Sequence, residues 1–190
     1  MLTGVGVAGC GRMGAPMLAA LRAAGFAARG FDIRPPAEYG ALAPAMSDDP
    51  DAFAAPLRHL ITVVRDIPQT EDVLFGAQGF VTRAPGLETV IVSSTLSPRY
   101  VRELRSRIPG HIALIDAPMS GAAVAAQEAR LSFMLGGDPA DLDTMQPLFD
   151  AMGRHFHRMG ALGAGMTAKV LNNLLAAANT AMTRLVLDWS

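Results

Sequence analysis

The sequence predicts an α/β protein in which a doubly wound, mostly parallel sheet is followed by one long helix. Short apolar runs typical of buried strands recur through the first 162 residues, and segments with helical character separate them. Residues 166–189 contain no Pro or Gly and would form a helix about 36 Å long at 1.5 Å per residue. We therefore expect a sheet domain over residues 1–162 and a helical segment over residues 163–190.

The individual elements follow from apolar runs and from their flanking turn residues. The predicted strands are Val5–Ala8, Ala27–Phe31, Leu60–Val64, Thr89–Val92, Ile112–Ile115, Leu131–Leu135 and His155–His157. Helices are predicted after Gly14, near Asp48, from Pro68, after the N-cap Ser97, over Ala122–Ala129 and from Asp138. The rest of residues 34–51 is predicted to be a surface connection, because it is rich in Pro, Ala and Asp.

The composition excludes several classes of partner. The net charge of −1 gives no excess of positive charge that would attract nucleic acid or an anionic membrane. No apolar stretch approaches the ~20 residues that a membrane span needs, and no basic region precedes an apolar run as in a signal peptide. A single cysteine, Cys10, fits a reducing compartment. We expect a cytoplasmic protein whose partners are small molecules and copies of itself.

The first predicted strand runs directly into a glycine motif, Gly9-Cys10-Gly11-Arg12-Met13-Gly14. In a G-x-G-x-x-G turn between strand and helix, the first glycine permits the tight turn and the second lets a pyrophosphate approach the backbone. The third lets the helix pack closely. The phosphates would lie at the N-terminus of the following helix, where free N–H groups and the helix dipole favour negative charge. This turn, including Arg12 and Met13, is the predicted dinucleotide site of a Rossmann-type sheet.

Two further strand ends complete the predicted cofactor site. Asp32 follows the second strand, where a carboxylate accepts hydrogen bonds from the adenosine ribose. An aspartate repels a 2′-phosphate and favours NAD, whereas Arg34 could bind that phosphate and leaves NADP open; Asp32 could also be a solvated loop acid. Val64 and Arg65 follow the third strand, and ligands bind outside the carboxyl ends of strands in such sheets. The side chains of Arg65 and Asp66 could equally form an exposed charged pair.

Four stretches together resemble the β-hydroxyacid dehydrogenase family. They read VGVAGCGRMGAPM, VVRDIPQTEDVLFG, DAPMSGAAVAAQEARLSFMLGG and GAGMTAKVLNN, and their order and spacing match the family along essentially the whole chain. The resemblance departs at Ala122, where the family has a second glycine, and at Ala129-Arg130-Leu131, where it has Gly-Thr-Leu.

The resemblance implies an active site in this chain. Lys169 corresponds to the catalytic lysine and Asn173 to the asparagine one turn further on; positions i and i+4 share a helix face, so both can point at one substrate. Ser120 and Gly121 correspond to the substrate-binding loop, and Thr95 to a threonine that touches the nicotinamide end of the cofactor. The implied reaction is NAD(P)-dependent hydride transfer involving a small β-hydroxyacid or semialdehyde.

The resemblance also implies an all-helical domain of about a hundred residues or more, a usual domain size, of which this sequence contains the first long helix. A helix that is apolar over so much of its surface needs neighbours. We therefore expect a homodimer formed through Met166–Trp189. The alternative to an enzyme is a dinucleotide-binding module that dimerises through this helix without catalytic turnover.

Overall fold

The computed structural model describes residues 2–189, whose strands form one sheet. Its strands in chain order are β1 (Val5–Ala8), β2 (Arg29–Phe31), β3 (Met46–Ser47), β4 (His59–Thr62), β5 (Thr89–Val92), β6 (Ala113–Asp116), β7 (Met119–Ser120), β8 (Leu131–Gly136) and β9 (Gly153–Gly160). The first six lie side by side in the order β3-β2-β1-β4-β5-β6 and are parallel throughout. The strand order reverses between β1 and β4, and a crevice at such a reversal is where open α/β sheets bind ligands.

The helices connect these strands and cover both faces of the sheet. They are α1 (Gly14–Ala23), α2 (Pro50–Ala54), α3 (Ile67–Leu74), α4 (Phe80–Arg83), α5 (Pro98–Leu104), α6 (Ala123–Gln127), α7 (Pro139–Met152) and α8 (Ala164–Asp188), with a 3-10 helix over Pro36–Ala45. This arrangement confirms the predicted doubly wound, mostly parallel sheet followed by a long helix.

Two apolar clusters lie on opposite faces of the sheet, because successive strand residues point to opposite sides. Ile61 of β4 and Ile91 of β5 belong to the cluster beneath α1, α6 and α7. Their neighbours Leu60 and Val90 belong to the cluster beneath α2, α3, α4 and α5. The parallel strands β1, β4 and β5 are therefore buried on both sides, and their carboxyl edge is left as the place where a ligand can reach backbone groups.

The far side of the sheet departs from parallel order at β8. This strand is antiparallel to β6 and β7 and parallel to β9. Residues 121–130, which join β7 to β8, include only the short helix α6. Parallel neighbours need a crossover of a dozen or more residues, so this short connection returns the chain antiparallel.

Several local predictions differ from the structure in detail. Met46–Ser47, within the predicted surface connection, form the buried strand β3. Residues Pro36–Ala45 form a 3-10 helix, broken at Gly40 with φ 52°, where an irregular connection was predicted. Ser97 stands at the N-cap of α5, but its side chain makes no capping hydrogen bond. The third strand ends at Thr62 rather than Val64, so residues 63–65 are free to line the adjoining crevice.

Candidate functional site

A cleft of about 490 Å³ opens at the carboxyl edge of the sheet, where the strand order reverses. Segments that follow β1, β2 and β4 form it, together with residues from α3 and the loop beyond. Its lining residues are Gly9, Gly11, Arg12, Phe31, Asp32, Ile33, Arg34, Val63, Val64, Arg65, Gln69, Asp72, Val73 and Gln78. The structure thus brings most of the predicted cofactor residues to one cleft. Sequence reasoning did not assign Gln69 and Asp72 of α3, or Gln78 in the loop beyond it, to the site.

The three motif glycines occupy three different environments in the turn after β1. Gly9 has φ 92°, and a Cβ there would lie 2.7 Å from the carbonyl oxygen of Val63. A Cβ at Gly14 would overlap the carbonyl of Gly9, so α1 can start this close to the turn only with glycine. A Cβ at Gly11, in contrast, would meet nothing within 4 Å. The turn is closely packed at Gly9 and Gly14 and open toward the cleft at Gly11.

The N-terminus of α1 faces this turn without a side-chain cap. Met13 stands at the N-cap, and no side chain accepts a hydrogen bond from the first turn. First-turn N–H groups have no intrahelical acceptors, and the helix dipole adds partial positive charge there. The Ala15 N–H donates to the Gly11 carbonyl at 3.1 Å, and Pro16 has no N–H. The open space over Gly11 and the positive end of the helix dipole are therefore what fit the diphosphate of a dinucleotide.

An ion pair stands at the end of β2. Nε of Arg34 lies 3.3 Å from Oδ1 of Asp32, and Nη2 of Arg34 donates to the Cys10 carbonyl (3.0 Å) and the Tyr39 hydroxyl (2.6 Å). Burial acts to raise the pKa of Asp32, but hydrogen bonds from Arg34 and Tyr39 outweigh it and lower that pKa. Asp32 is therefore an ionised acceptor at neutral pH, held in place at the cleft wall.

Two other guanidinium groups line the same cleft. Arg12 and Arg65 are both exposed, and within residues 2–189 neither forms an ion pair. The backbone N–H of Arg65 donates to Oε1 of Gln69 at 3.1 Å, which fixes the start of the loop after β4. These two cations remain available to an anionic ligand in the cleft.

Cys10 lies in the middle of the glycine motif but faces the core. Its side chain is 1% exposed, and its thiol lies 3.5 Å from the Val7 carbonyl, to which it donates. Burial raises the pKa of the Cys10 thiol to about 12. The thiol is therefore protonated and contributes packing rather than chemistry.

The remaining predicted site residues lie outside the cleft lining, on neighbouring segments. Thr95 is exposed in the loop after β5, Ser120 ends β7 half-buried, and Gly121 follows it with φ 135°. Lys169 is half-buried in the second turn of α8, and Asn173 is exposed one turn later. Lys169 is also the only lysine in the sequence. Burial lowers the pKa of Lys169, which increases the fraction of neutral amine that can accept a proton.

Buried hydroxyl groups mark the carboxyl ends of β4 and β5. Thr62, Ser93 and Ser94 have side-chain oxygens that are buried and find no hydrogen-bond partner within the described residues. Buried polar groups in folded proteins are nearly always paired, so unpaired ones at a binding edge fit a polar ligand or water. Thr62 ends β4, and Ser93 and Ser94 lead from β5 to Thr95.

Asp116 is the residue at this edge that sequence reasoning missed. It ends β6, is fully buried, and accepts hydrogen bonds from the backbone N–H groups of Gly163 (2.7 Å) and Met166 (2.6 Å) at the start of α8. Burial raises the pKa of Asp116, while those two hydrogen bonds act in the opposite direction. The available signal was an acidic residue at the end of an apolar strand, directly before Ala117 and Pro118.

The strand order, the glycine turn and the acid after β2 together define a dinucleotide-binding domain. Residues 4–170 match the model of the NAD binding domain of 6-phosphogluconate dehydrogenase. The chain belongs to the β-hydroxyacid dehydrogenase family, of which it contains the N-terminal portion.

Three similar proteins illustrate the relationship. The chain is 33% identical over 180 residues to 2-hydroxy-3-oxopropionate reductase of Escherichia coli, covering 92% of this chain and 61% of the relative. It is 36% identical over 180 residues to a probable 3-hydroxyisobutyrate dehydrogenase of Mycobacterium bovis, with coverage of 93% and 60%. Among solved structures, the 3-hydroxyisobutyrate dehydrogenase of Mycobacterium tuberculosis with L-serine gives a TM-score of 0.81 at 34% identity, covering 93% of this chain and 61% of that one. The chain therefore spans about 60% of the length of these curated relatives.

Residues 2–189 contain neither a membrane-spanning helix nor a cluster of metal ligands. No helix there has the length and apolar character needed to cross a membrane. No group of three or more His, Cys, Asp or Glu side chains is arranged to hold a metal ion in that range.

Proposed function

We propose that this chain provides the cofactor domain and the principal catalytic residues of an NAD(P)-dependent oxidoreductase acting on a small β-hydroxyacid. The family membership supports the reaction class, and the names of the relatives indicate 3-hydroxyisobutyrate or 2-hydroxy-3-oxopropionate as the substrate type. The observation that carries the proposal is Lys169. It is the sole lysine in the chain, half-buried near the sheet's carboxyl edge with a lowered pKa.

The cofactor cleft supports binding of the dinucleotide by this chain's own groups. The diphosphate would lie over Gly11 and the N-terminus of α1, and Asp32 would accept hydrogen bonds from the adenosine ribose. Arg34 already pairs with Asp32, and the carboxylate's charge favours NAD over a cofactor with a 2′-phosphate. Arg12, Met13, Gly14, Val64 and Arg65 complete the proposed cofactor contacts, and Thr95 is proposed to meet the nicotinamide end.

The substrate would be held by groups that complement a hydroxyacid. The Ser120 hydroxyl and the Gly121 backbone N–H are proposed to bind its carboxylate, and the Asn173 amide to hold the reacting oxygen. In the oxidation direction the neutral amine of Lys169 accepts the hydroxyl proton as the carbon–oxygen double bond forms. A bound nicotinamide would supply the hydride acceptor for this oxidation. The protein's part is to align the groups and to hold this proton at the Lys169 Nζ.

The second candidate function is a dinucleotide-binding module that dimerises without turnover. All described residues of α8 beyond Lys169 are exposed, including large apolar side chains. A site open to water on that side would align substrate poorly. We further propose that residues 1–162 act as the cofactor domain and that residues 163–190 belong to the helical part of the family fold.

Binding and turnover should be measured separately. Calorimetry with NAD and with NADP tests the cleft, and absorbance of the reduced cofactor tests turnover with 3-hydroxyisobutyrate, 2-hydroxy-3-oxopropionate and L-serine. The proposal expects NAD binding and turnover of at least one of these compounds. Binding without turnover across the panel would favour the dimerising module, and no binding of either cofactor would refute both candidates.

Lys169→Met tests the assigned base directly. We expect turnover to fall at least a hundredfold, since positioned acid–base groups contribute about 10²- to 10⁴-fold. Cofactor affinity should change less than twofold. Arg184→Met, which removes an exposed cation from the same helix, is the matched control and should leave both quantities unchanged. Near wild-type turnover in Lys169→Met would remove Lys169 from this role.

A further inference from the structure

The attachment of α8 to the sheet is confined to its beginning. Gly163, Gly165 and Met166 are buried, Lys169 is half-buried, and every described residue from 170 onward is exposed. The position of Lys169 relative to the cofactor cleft therefore depends on what holds this first turn. Asn173 shares α8 with Lys169, whereas the other predicted site residues stand on the sheet, its loops and the start of α1. This attachment therefore sets the geometry between those residues and the amine.

The carboxylate of Asp116 makes the polar contacts that attach the start of α8 to the sheet. The two oxygens of Asp116 accept hydrogen bonds from different N–H groups, Oδ1 from Gly163 and Oδ2 from Met166. First-turn N–H groups have no acceptor within their own helix, and a carboxylate near them is also favoured by the helix dipole. Asp116 lies on β6, in register with Val92 of β5 and Gly136 of β8. The carboxylate thus hydrogen-bonds the carboxyl end of β6 to the start of α8.

Two glycines leave room for this carboxylate. A Cβ at Gly136 would overlap Oδ1 of Asp116, and a Cβ at Gly165 would overlap the Met134 carbonyl and come within 3.0 Å of Oδ2. Neither glycine has a φ in the left-handed region, so steric room rather than backbone conformation requires glycine there. Gly136 and the first turn of α8 therefore pack closely around the Asp116 carboxylate.

A second contact ties the same turn to the loop that carries Thr95. The backbone N–H of Leu96 donates to the sulfur of Met166 at 3.1 Å, and both side chains belong to the apolar cluster beneath α5. Met166 is therefore held from two sides, through its N–H by β6 and through its sulfur by the loop after β5. Lys169 follows it by three residues, less than one turn of helix.

We propose that Asp116 is a positioning residue for Lys169, holding the first turn of α8 so that the amine stands at the carboxyl edge of the sheet. It acts through the helix backbone and touches no reacting atom. Its consequence for turnover rests on the proposed function, whereas its effect on the environment of Lys169 does not.

The single lysine allows a direct test. Reductive methylation with ¹³C-formaldehyde labels the Lys169 amine and the N-terminal amine, which titrate in different ranges (~10.4 and ~8 when unperturbed). In Asp116→Asn the side chain keeps its size, but its NH₂ group faces one of the two N–H donors and cannot accept from it. We expect the first turn to shift and the titration of Lys169 to move up toward the ordinary lysine value. An Asp116→Asn titration identical to that of the wild type would overturn the proposal.

Turnover and binding separate positioning from a general structural role. In Asp116→Asn, kcat should fall about ten- to a hundredfold, as expected for a displacement of about 1 Å, while the Kd for NAD changes less than twofold. Asp138→Asn is the matched control, since Asp138 caps α7 by accepting from the Ala140 N–H at 2.9 Å. It should leave the Lys169 titration and kcat unchanged. Equal effects of the two variants on the Lys169 titration would contradict the proposal, and a wild-type chain without turnover would contradict only the proposed function.

Amide hydrogen exchange on the unmodified chain covers the case in which Asp116→Asn does not fold. The N–H groups of Gly163 and Met166 should exchange as slowly as strand amides, although first-turn amides usually lack a protein acceptor. Fast exchange at both positions would show that the carboxylate does not hold them and would overturn the proposal.

Discussion

The guanidinium of Arg34 restrains the carboxylate of Asp32 at the wall of the cleft. Arg34 contacts Asp32, the Cys10 carbonyl and Tyr39, so its guanidinium is engaged at the cleft wall rather than free in solvent. Tyr39 also packs its ring against the guanidinium, 4.9 Å from the ring centroid. These contacts hold Asp32 in place for its proposed role as a ribose acceptor, and removal of Asp32 would leave the Arg34 guanidinium without its carboxylate partner.

Asp32→Ala should reverse the preference between cofactors. Loss of charge-assisted hydrogen bonds of ~1.5–3 kcal/mol would weaken NAD binding about ten- to a hundredfold. NADP binding should strengthen, because Arg34 is freed and a repelling charge is gone. Calorimetric Kd values for both cofactors measure this. Asp72→Ala, which removes a charge from the α3 side of the same cleft, is the control, and an unchanged NAD/NADP ratio in Asp32→Ala would reject the ribose assignment.

Alanine substitutions at Gly14 and Gly11 should affect different properties: the first should lower stability, and the second should weaken NAD binding. Gly14→Ala would press a methyl group into the Gly9 carbonyl, and such overpacking costs about 1–3 kcal/mol, which lowers Tm by several degrees. Gly11→Ala adds a methyl group to open space, so Tm should stay within about 1 °C of the wild type by the usual scale of neutral substitutions. The same methyl group would obstruct the diphosphate and weaken NAD binding at least tenfold. Thermal unfolding with and without NAD measures both, and equal Tm values for the two variants would contradict this division.

At the scale of elements, α8 differs from every other helix described between residues 2 and 189. It is held at its first turn and exposes large apolar side chains along the rest of its length. These exposed residues include Val170, Leu171, Leu174, Leu175, Met182, Leu185, Val186 and Trp189. An apolar surface of this extent favours association, which supports the proposed dimer.

Leu174→Glu combined with Leu185→Glu should weaken self-association. The two positions are eleven residues apart and therefore share a helix face. Burial of two leucines contributes ~1.5–3 kcal/mol each, so the dimer Kd should rise at least a hundredfold. Sedimentation velocity measures it, with Asn179→Glu as a control that adds one negative charge to the same helix without removing a leucine. A monomeric wild-type chain at micromolar concentration would refute the dimer outright.

Strands marked by continuous apolar runs were predictable, whereas features that depend on connection length or on distant contacts were not. Val5–Ala8 and Thr89–Val92 match the predicted strands because their apolar runs end at turn residues. The reversal at β8 was not predictable from composition, since it depends on the short connection through α6. Asp116 was missed as a site residue because its role depends on α8 arriving beside β6, a contact between residues about fifty positions apart.

At the scale of the whole molecule, His59 makes stability depend on pH. It is 4% exposed at the start of β4, with Nδ1 3.3 Å from the Thr89 hydroxyl oxygen. Burial lowers the pKa of His59 below its ordinary value. As the pH falls through ~6.5, the His59 imidazole therefore binds a proton more readily in the unfolded chain than in the folded chain, and stability decreases.

His59→Gln should reduce this loss. Glutamine keeps a donor and an acceptor near Thr89 but does not titrate, so the decrease in Tm between about pH 7.5 and 5.5 should be smaller than in the wild type. Scanning calorimetry at several pH values measures the decrease. His111→Gln changes an exposed histidine and should keep the wild-type dependence; if the two variants behave alike, burial of His59 is not the cause.

The rate at which a thiol reagent labels the buried Cys10 reports how often the glycine turn opens. A sulfur that is shielded and protonated reacts with thiol reagents only when strand β1 and its turn separate from the core. Because the sequence has no second cysteine, the labelling rate measures how often this separation exposes Cys10 alone. A dinucleotide bound over the same turn should slow the labelling, so the occupancy of the cleft can be followed from inside the protein.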